Sequence, residues 1–232
     1  DHDQIYGSHD SHRVQLGYDL FNNLKLKTSF GTGYRPPSLY ESNNLASGIN
    51  KLEPEITTNK EIGFDYNDYK SSLFVSSSIF NSEIDNEIEY SGGGYRQGSG
   101  FTEISGYEVS VNKYNILEDL DLYFSYTKTD SDKSNGAKGA LVPMHKFSSL
   151  FDYKISDNIN NQLEYIYQER AYDTSSNELP SFSLVNYNFN YKINDNFKSN
   201  FKISNILDQD YEVNRNYNTP GVSFFGGVES EF

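Results

Sequence analysis

Phe30 to Glu41 read FGTGYRPPSLYE, and Asn50 to Gly63 read NKLEPEITTNKEIG. Upstream of the first stretch, Leu24, Leu26, Thr28 and Phe30 alternate with Lys25, Lys27, Ser29 and Gly31, the period-two pattern of a strand. Pro36 and Pro37 lack the N–H that a ladder needs, so the strand stops there and a loop begins. The loop closes at Leu52-Glu53-Pro54-Glu55, after which Ile62, Phe64 and Tyr66 resume the alternation. The two quoted stretches are the rim of one long-looped hairpin.

The same pattern extends outward in both directions. Val14, Leu16, Tyr18 and Leu20 predict a half-buried strand that turns at Asn22-Asn23. After a turn at Asn67-Asp68 a long strand carries Leu73, Val75, Ser77 and Ile79 on one face and continues less regularly to Ile88. Further strands are predicted around Tyr107–Val111, Leu122–Tyr126, Phe147–Tyr153, Leu163–Tyr167, Val185–Tyr191 and Phe197–Ile203, with a last one from about Pro220 to Phe232. That makes 11 strands and no segment of helical period.

Connection lengths alternate strictly. Short turns fall at Asn22, Asn67, Glu118, Asp157 and Asn194, and long loops follow Tyr34, Tyr90, Asp130, Tyr172 and Asn205. Short turns on one rim and long loops on the other are the habit of outer-membrane barrels. A soluble carbohydrate-binding β-protein would spread its loop lengths evenly. Tyr18, Phe30, Tyr66, Tyr126, Tyr153 and Tyr191 at strand ends suit interfacial girdles, although tyrosine is also an ordinary strand former. An odd strand count does not close an antiparallel barrel, and 11 is half of the roughly 22 strands of plugged outer-membrane transporters. The expected fold is therefore all-β, the C-terminal half of an antiparallel transmembrane β-barrel spanning 1–232, with earlier strands, plug and signal peptide outside the sequence.

Composition excludes several classes. Thirty-three acidic residues against 19 basic ones give a net charge of −14, the wrong sign for a nucleic-acid partner. The absence of cysteine removes disulfide and thiolate-metal frameworks. Mean hydropathy is negative, yet this is no argument against a membrane barrel, whose lipid-facing and lumen-facing residues average to polar. The glycine-rich Ser91–Gly100 lacks the Lys-Ser or Lys-Thr of a phosphate cradle, and Gly31-Thr-Gly33 lacks the third glycine of a dinucleotide fingerprint. Asp130–Gly136 places its glycine one position late for a calcium loop and has Leu141 where the bidentate glutamate belongs. His9 and His12 beside Asp10 could ligate a metal but read as a solvated loop end. No nucleophile elbow accompanies His145, so no catalytic residue, metal ligand or cofactor is assigned.

SFGTGYRPPSLYE with KLEPEITTNKEIGFDY, and the tail SNILDQDYEVNRNYNTPGVSFFGGVESEF, resemble the C-terminal half of TonB-dependent outer-membrane receptors, most nearly the cobalamin and siderophore group. The resemblance covers essentially the whole chain. It implies uptake of a scarce, bulky metal chelate or corrinoid across the outer membrane of a Gram-negative bacterium, with the TonB complex engaging a segment N-terminal to this sequence. It places recognition on the long-loop rim, where the candidate ligand contacts are Tyr34, Arg35, Tyr40, Asn43, Asn44, Tyr90, Tyr95, Arg96 and Tyr172. Pro143-Met-His145 matches a structural feature at a strand start. Phe224, Val228 and Phe232 match the terminal signal read by the barrel-assembly machinery, with departures at Val222 and Ser230, where the family commonly has arginine and an apolar residue. A passive porin or an adhesin-like barrel is the alternative that shares the loop asymmetry.

Overall fold

The computed structural model describes residues 2–3, 5–173 and 176–231. Eleven strands form one sheet: β1 Arg13–Phe21, β2 Leu24–Arg35, β3 Glu55–Asp68, β4 Leu73–Asp85, β5 Phe101–Leu117, β6 Leu120–Lys133, β7 His145–Ser156, β8 Ile159–Gln168, β9 Phe182–Lys192, β10 Phe197–Ser204 and β11 Ser223–Ser230. Each is hydrogen-bonded to its neighbour in sequence, β1 through β11 in order. The pairs β1–β2, β6–β7, β7–β8, β8–β9, β9–β10 and β10–β11 are antiparallel. A meander of this kind puts successive connections at alternate strand ends. Residues 22–23, 69–72, 118–119, 157–158 and 193–196 make the short turns, and 36–54, 86–100, 134–144, 169–181 and 205–222 make the long connections.

The expected strands and the alternation of connection length are thus present, with local differences. The turn expected at Asn67-Asp68 lies at 69–72, because Asp68 caps it: Asp68 Oδ1 accepts from Lys70 N at 3.0 Å, and its Oδ2 takes the Ser71 hydroxyl at 2.7 Å. One helical turn, α1 Leu39–Asn43, interrupts the first long connection. The Ser91–Gly100 loop is folded as a hairpin, Ile88–Ser91 against Gly94–Gln97. The last strand begins at Ser223.

The chain forms two compact units. The first contains residues 1–64, 78–107 and 129–139, and the second contains 65–77, 108–128 and 140–232. In neither do the strand midpoints supply the core. In the first the buried residues are Ala46, Leu52, Pro37, Pro54, Gly94, Thr102 and Ser131, and Leu52 is 1% exposed. In the second they include Ala171, Asp173, Leu179, Phe182 and Asn205.

The apolar rows of the strands lie in the open. Val14, Leu16 and Tyr18 sit opposite Phe30, Thr28 and Leu26, and all but Thr28 are large exposed apolar groups, Leu16 at 65%. Ile62, Phe64 and Ile79 continue this character in the first unit. Phe151, Leu163, Phe201, Phe224 and Val228 carry it in the second. The half-buried first strand expected from its alternation is corrected here: residues 13–21 are exposed throughout. Period two identifies a two-faced strand without saying which face meets protein.

The opposite face of the second unit is a mesh of amides and acids set by cross-strand register. Gln162 Nε2 donates to Asp152 Oδ2 at 3.0 Å, Asn186 Nδ2 to Glu164 Oε2 at 2.9 Å, Asn188 Nδ2 to Gln162 Oε1 at 3.1 Å and Asn200 Nδ2 to Asn190 Oδ1 at 3.0 Å. An exposed apolar face backed by a hydrogen-bonded polar one inverts the arrangement of a soluble sheet and suits lipid on the apolar side. On this basis Leu163→Lys in the full-length protein should lower its folding stability in phospholipid vesicles by about 2–4 kcal/mol, the cost of a cation near the bilayer midplane. Asn188→Ser should cost under about 1 kcal/mol on the same denaturant titration.

Candidate ligand-binding loops

The two prolines that end β2 leave Arg35 as its last residue, aimed at the carboxylates of the returning segment. Arg35 donates through Nε to Glu55 Oε2 at 2.6 Å and through Nη2 to Glu55 Oε1 at 2.7 Å. Its Nη1 reaches both oxygens of Glu41 at 3.1 and 3.2 Å. Both glutamate side chains are 14% exposed. The planar guanidinium fork suits this double grip, which a lysine cannot reproduce.

Each carboxylate has a second duty. Glu41 accepts from Ser38 N at 2.6 Å while Ser38 Oγ accepts from Glu41 N at 3.2 Å, a capping box that starts α1. Glu55 Oε1 also accepts from Ile88 N at 2.8 Å, the first residue of the 88–97 hairpin. One arginine therefore ties the end of β2, the helical turn, the start of β3 and the next long connection. Burial acts to raise the Glu41 carboxyl, but the Ser38 N–H and the Arg35 guanidinium outweigh it and hold that carboxyl below its ordinary value.

The hairpin is docked just as firmly. Gln97 Nε2 donates to Glu53 O at 2.8 Å and Asn86 O at 2.6 Å, and Gln97 Oε1 accepts from Glu53 N at 2.9 Å. Tyr95 N donates to Asn44 O at 2.7 Å and Ala46 N to Tyr95 O at 2.9 Å, which joins the two long connections by backbone. Gly94 is required by that approach: a Cβ there would lie 2.4 Å from Ala46 N. Gly92 and Gly93, at φ +65° and +84°, make the hairpin turn. Lys133, at the end of β6, bridges Glu87 at 3.1 Å and Glu89 at 3.2 Å, and Glu87 also accepts from the Thr102 hydroxyl at 2.6 Å.

Eight of the nine predicted contacts fall in this first unit. Tyr40, Tyr95 and Tyr90 come together, Tyr95 meeting Tyr40 edge-on at 5.9 Å and Tyr90 at 5.3 Å between ring centres. Asn43 and Asn44 turn their side-chain amides back onto Leu39 O and Tyr40 O, both at 2.7 Å. Tyr34 stacks on His9 at 4.0 Å with its hydroxyl buried and unpaired. Arg96 is exposed and Arg35 is consumed by the clamp. Tyr172 belongs to the second unit, where its carbonyl accepts from Leu141 N at 2.7 Å.

Sequence reasoning missed Glu41, Glu55, Gln97 and Lys133. Ser38-x-x-Glu41 is a legible capping signal, but the partners of Glu55, Gln97 and Lys133 depend on how loops meet in space. In the second unit, Asn205, at φ +54° and 3% exposed, ties its connection together. Its Oδ1 accepts from Gln209 N at 2.9 Å and its Nδ2 donates to Gln209 O at 2.9 Å. Asp208 Oδ1 accepts from Val222 N at 2.8 Å. His145 Nδ1 and the Tyr126 hydroxyl form a 2.7 Å hydrogen bond beside Glu169, whose N–H donates to His145 O at 2.9 Å. Phe224 and Val228 lie exposed on one face of β11, and Phe232 is outside the described residues. Among the described residues no three His, Cys, Asp or Glu side chains converge as metal ligands.

A carboxylate held below its ordinary value contributes stability above the unfolded-state pKa and loses it as pH falls through the folded one. The docked state of residues 38–54 should therefore be insensitive to pH near neutrality and loosen below the ordinary glutamate value of 4.5. Arg35→Lys should loosen it near neutral pH by about 1.5–3 kcal/mol, the range for hydrogen bonds to charged groups, and by less once Glu41 is protonated. Amide exchange of Glu41 and Ile88 in the full-length protein measures both effects.

Comparison with known proteins gives the family. Residues 1–206 match the model for the TonB dependent receptor-like β-barrel. The chain is 24% identical to the vitamin B12 transporter BtuB of Vibrio cholerae over 100% of its own length and 39% of that protein's. Among solved structures, the siderophore receptor PirA of Acinetobacter baumannii superposes at a TM-score of 0.82 with 18% identity, over 99% of this chain and 42% of PirA. The ferric enterobactin receptor PfeA of Pseudomonas aeruginosa gives a TM-score of 0.84 with 18% identity, over 98% of this chain and 41% of PfeA. The chain spans about two-fifths of the length of these relatives. Residue pattern, sheet order and the family match agree: the chain belongs to the TonB-dependent receptor-like β-barrel family.

Proposed function

We propose that this chain is part of the barrel wall and ligand-recognition rim of an outer-membrane receptor that takes up a scarce, bulky nutrient, a metal chelate or a corrinoid, using energy from the TonB system. The observation that carries the reading is the construction of the first-unit connections. Residues 36–54 and 86–100 are interlocked by Arg35, Gln97 and the Tyr95 backbone, and they leave tyrosines on their surface. Loops ordered in advance lose little entropy on binding, which is what capture of a dilute ligand requires. A channel for freely diffusing solutes gains nothing from it, and the passive porin or adhesin-like reading finds no support in the family match.

Within this reading metal enters as cargo, and no residue is given a catalytic role. The TonB complex would act through a part of the protein outside this sequence. Outer-membrane lipid would cover the exposed apolar face. The barrel-assembly machinery would read β11, where Phe224 and Val228 already present one apolar edge. Deleting residues 39–50 from the full-length protein should abolish saturable binding of its ligand to outer-membrane vesicles while the barrel still assembles and resists protease. Unchanged binding by the deleted protein would refute the assignment of the rim.

A further inference from the structure

The charge arrangement of the first-unit connections points to a class of cargo. Each strong cation at their base is already shared by two carboxylates, Arg35 by Glu41 and Glu55 and Lys133 by Glu87 and Glu89. Each set of three carries a net charge of −1. Within 36–54 and 86–100, Lys51 lies 3.8 Å from Glu53, and Arg96, which faces Glu89 across the hairpin, is among the described residues the only basic side chain there with no carboxylate within 4.0 Å. A polyanionic chelate needs several free guanidinium or ammonium groups, and recruiting Arg35 or Lys133 would leave two carboxylates uncompensated. The same connections do expose aromatic surface: Tyr40 is 68% and Tyr90 66% exposed, with Tyr95 between them. Rings held edge to face offer apolar area and hydroxyls at little entropic cost and make no demand on ligand charge.

We infer that the Tyr40–Tyr95–Tyr90 cluster contacts a cargo without net negative charge, held through apolar or ring surface, in preference to a polyanionic ferric catecholate. The inference rests on the receptor reading above and narrows it to a substrate class. It is tested with the full-length protein in outer-membrane vesicles and three probes: uncharged cyanocobalamin, an uncharged ferric trihydroxamate and the triply anionic ferric tris-catecholate. An uncharged probe should bind at least about tenfold more tightly than the tris-catecholate, with less than about a twofold change between low and high salt. Joint Tyr40→Ala and Tyr95→Ala substitution should weaken that binding about tenfold or more. The Tyr40→Phe and Tyr95→Phe pair, which keeps the rings, should stay within about threefold, and Arg96→Glu within about twofold. Tightest binding by the tris-catecholate, or its loss with Arg96→Glu, would overturn the charge inference and leave the receptor reading standing. Failure of all three probes would overturn the receptor reading and this inference with it.

Discussion

The contact of Arg35 with Glu55, extended to Glu41, is the constraint on which the long connections of the first unit depend. Pro36 and Pro37 end the β2 ladder and would release a polar excursion of residues 36–54 into solvent. The guanidinium instead gathers two carboxylates, and each is committed elsewhere, Glu41 to the cap of α1 and Glu55 to the Ile88 amide. The two carboxylates are largely covered although the guanidinium is about half exposed, so salt screens these pairs less than it would a fully exposed bridge. The 88–97 hairpin then has a fixed base, and Gln97 and the Tyr95 backbone complete its docking. Tyrosine exposure at the surface of these connections follows from that frame.

The sheet beneath obeys a different economy. Strand pairing satisfies the backbone, and side chains divide by pleat into an apolar row that stays exposed and a polar row that bonds to itself across strands. In water such a sheet would aggregate through its apolar face, whereas in a bilayer that face is solvated by lipid. The packed residues, Leu52 and Ala46 in one unit and Ala171, Leu179 and Phe182 in the other, belong to connections and strand ends. Side-chain packing is therefore concentrated at the connections, among them those where ligand recognition is proposed.

Most of the fold was legible in the sequence, since a period of two repeated between turn signals needs no tertiary information. The sense of the faces was not: Val14, Leu16 and Tyr18 announce a two-faced strand, and only their surroundings show that the apolar row, like the polar one, is open. The helical turn was missed because five residues hold too little periodicity, although Ser38 and Glu41 advertised its cap. Within the candidate site, choosing tyrosine and arginine by residue type located the Tyr40–Tyr95–Tyr90 cluster. The same choice could not show that the fork of Arg35 is occupied by glutamates 6 and 20 residues away. Gly94 is one of several glycines in Ser91–Gly100, and nothing local in the sequence shows that its lack of a side chain serves the approach of Leu45 and Ala46.

The central claim is that the sheet spans a membrane with its long connections outside and its short turns inside. The chain contains no cysteine, so single substitutions can report on this directly. Tyr217→Cys, in the long connection after β10, and Asp195→Cys, in the short turn before it, sit at opposite ends of one strand and are both exposed. With a membrane-impermeant maleimide, Tyr217→Cys should be labelled on intact cells and Asp195→Cys only after the outer membrane is permeabilised. Equal labelling of both on intact cells, or the reverse order, would contradict the account.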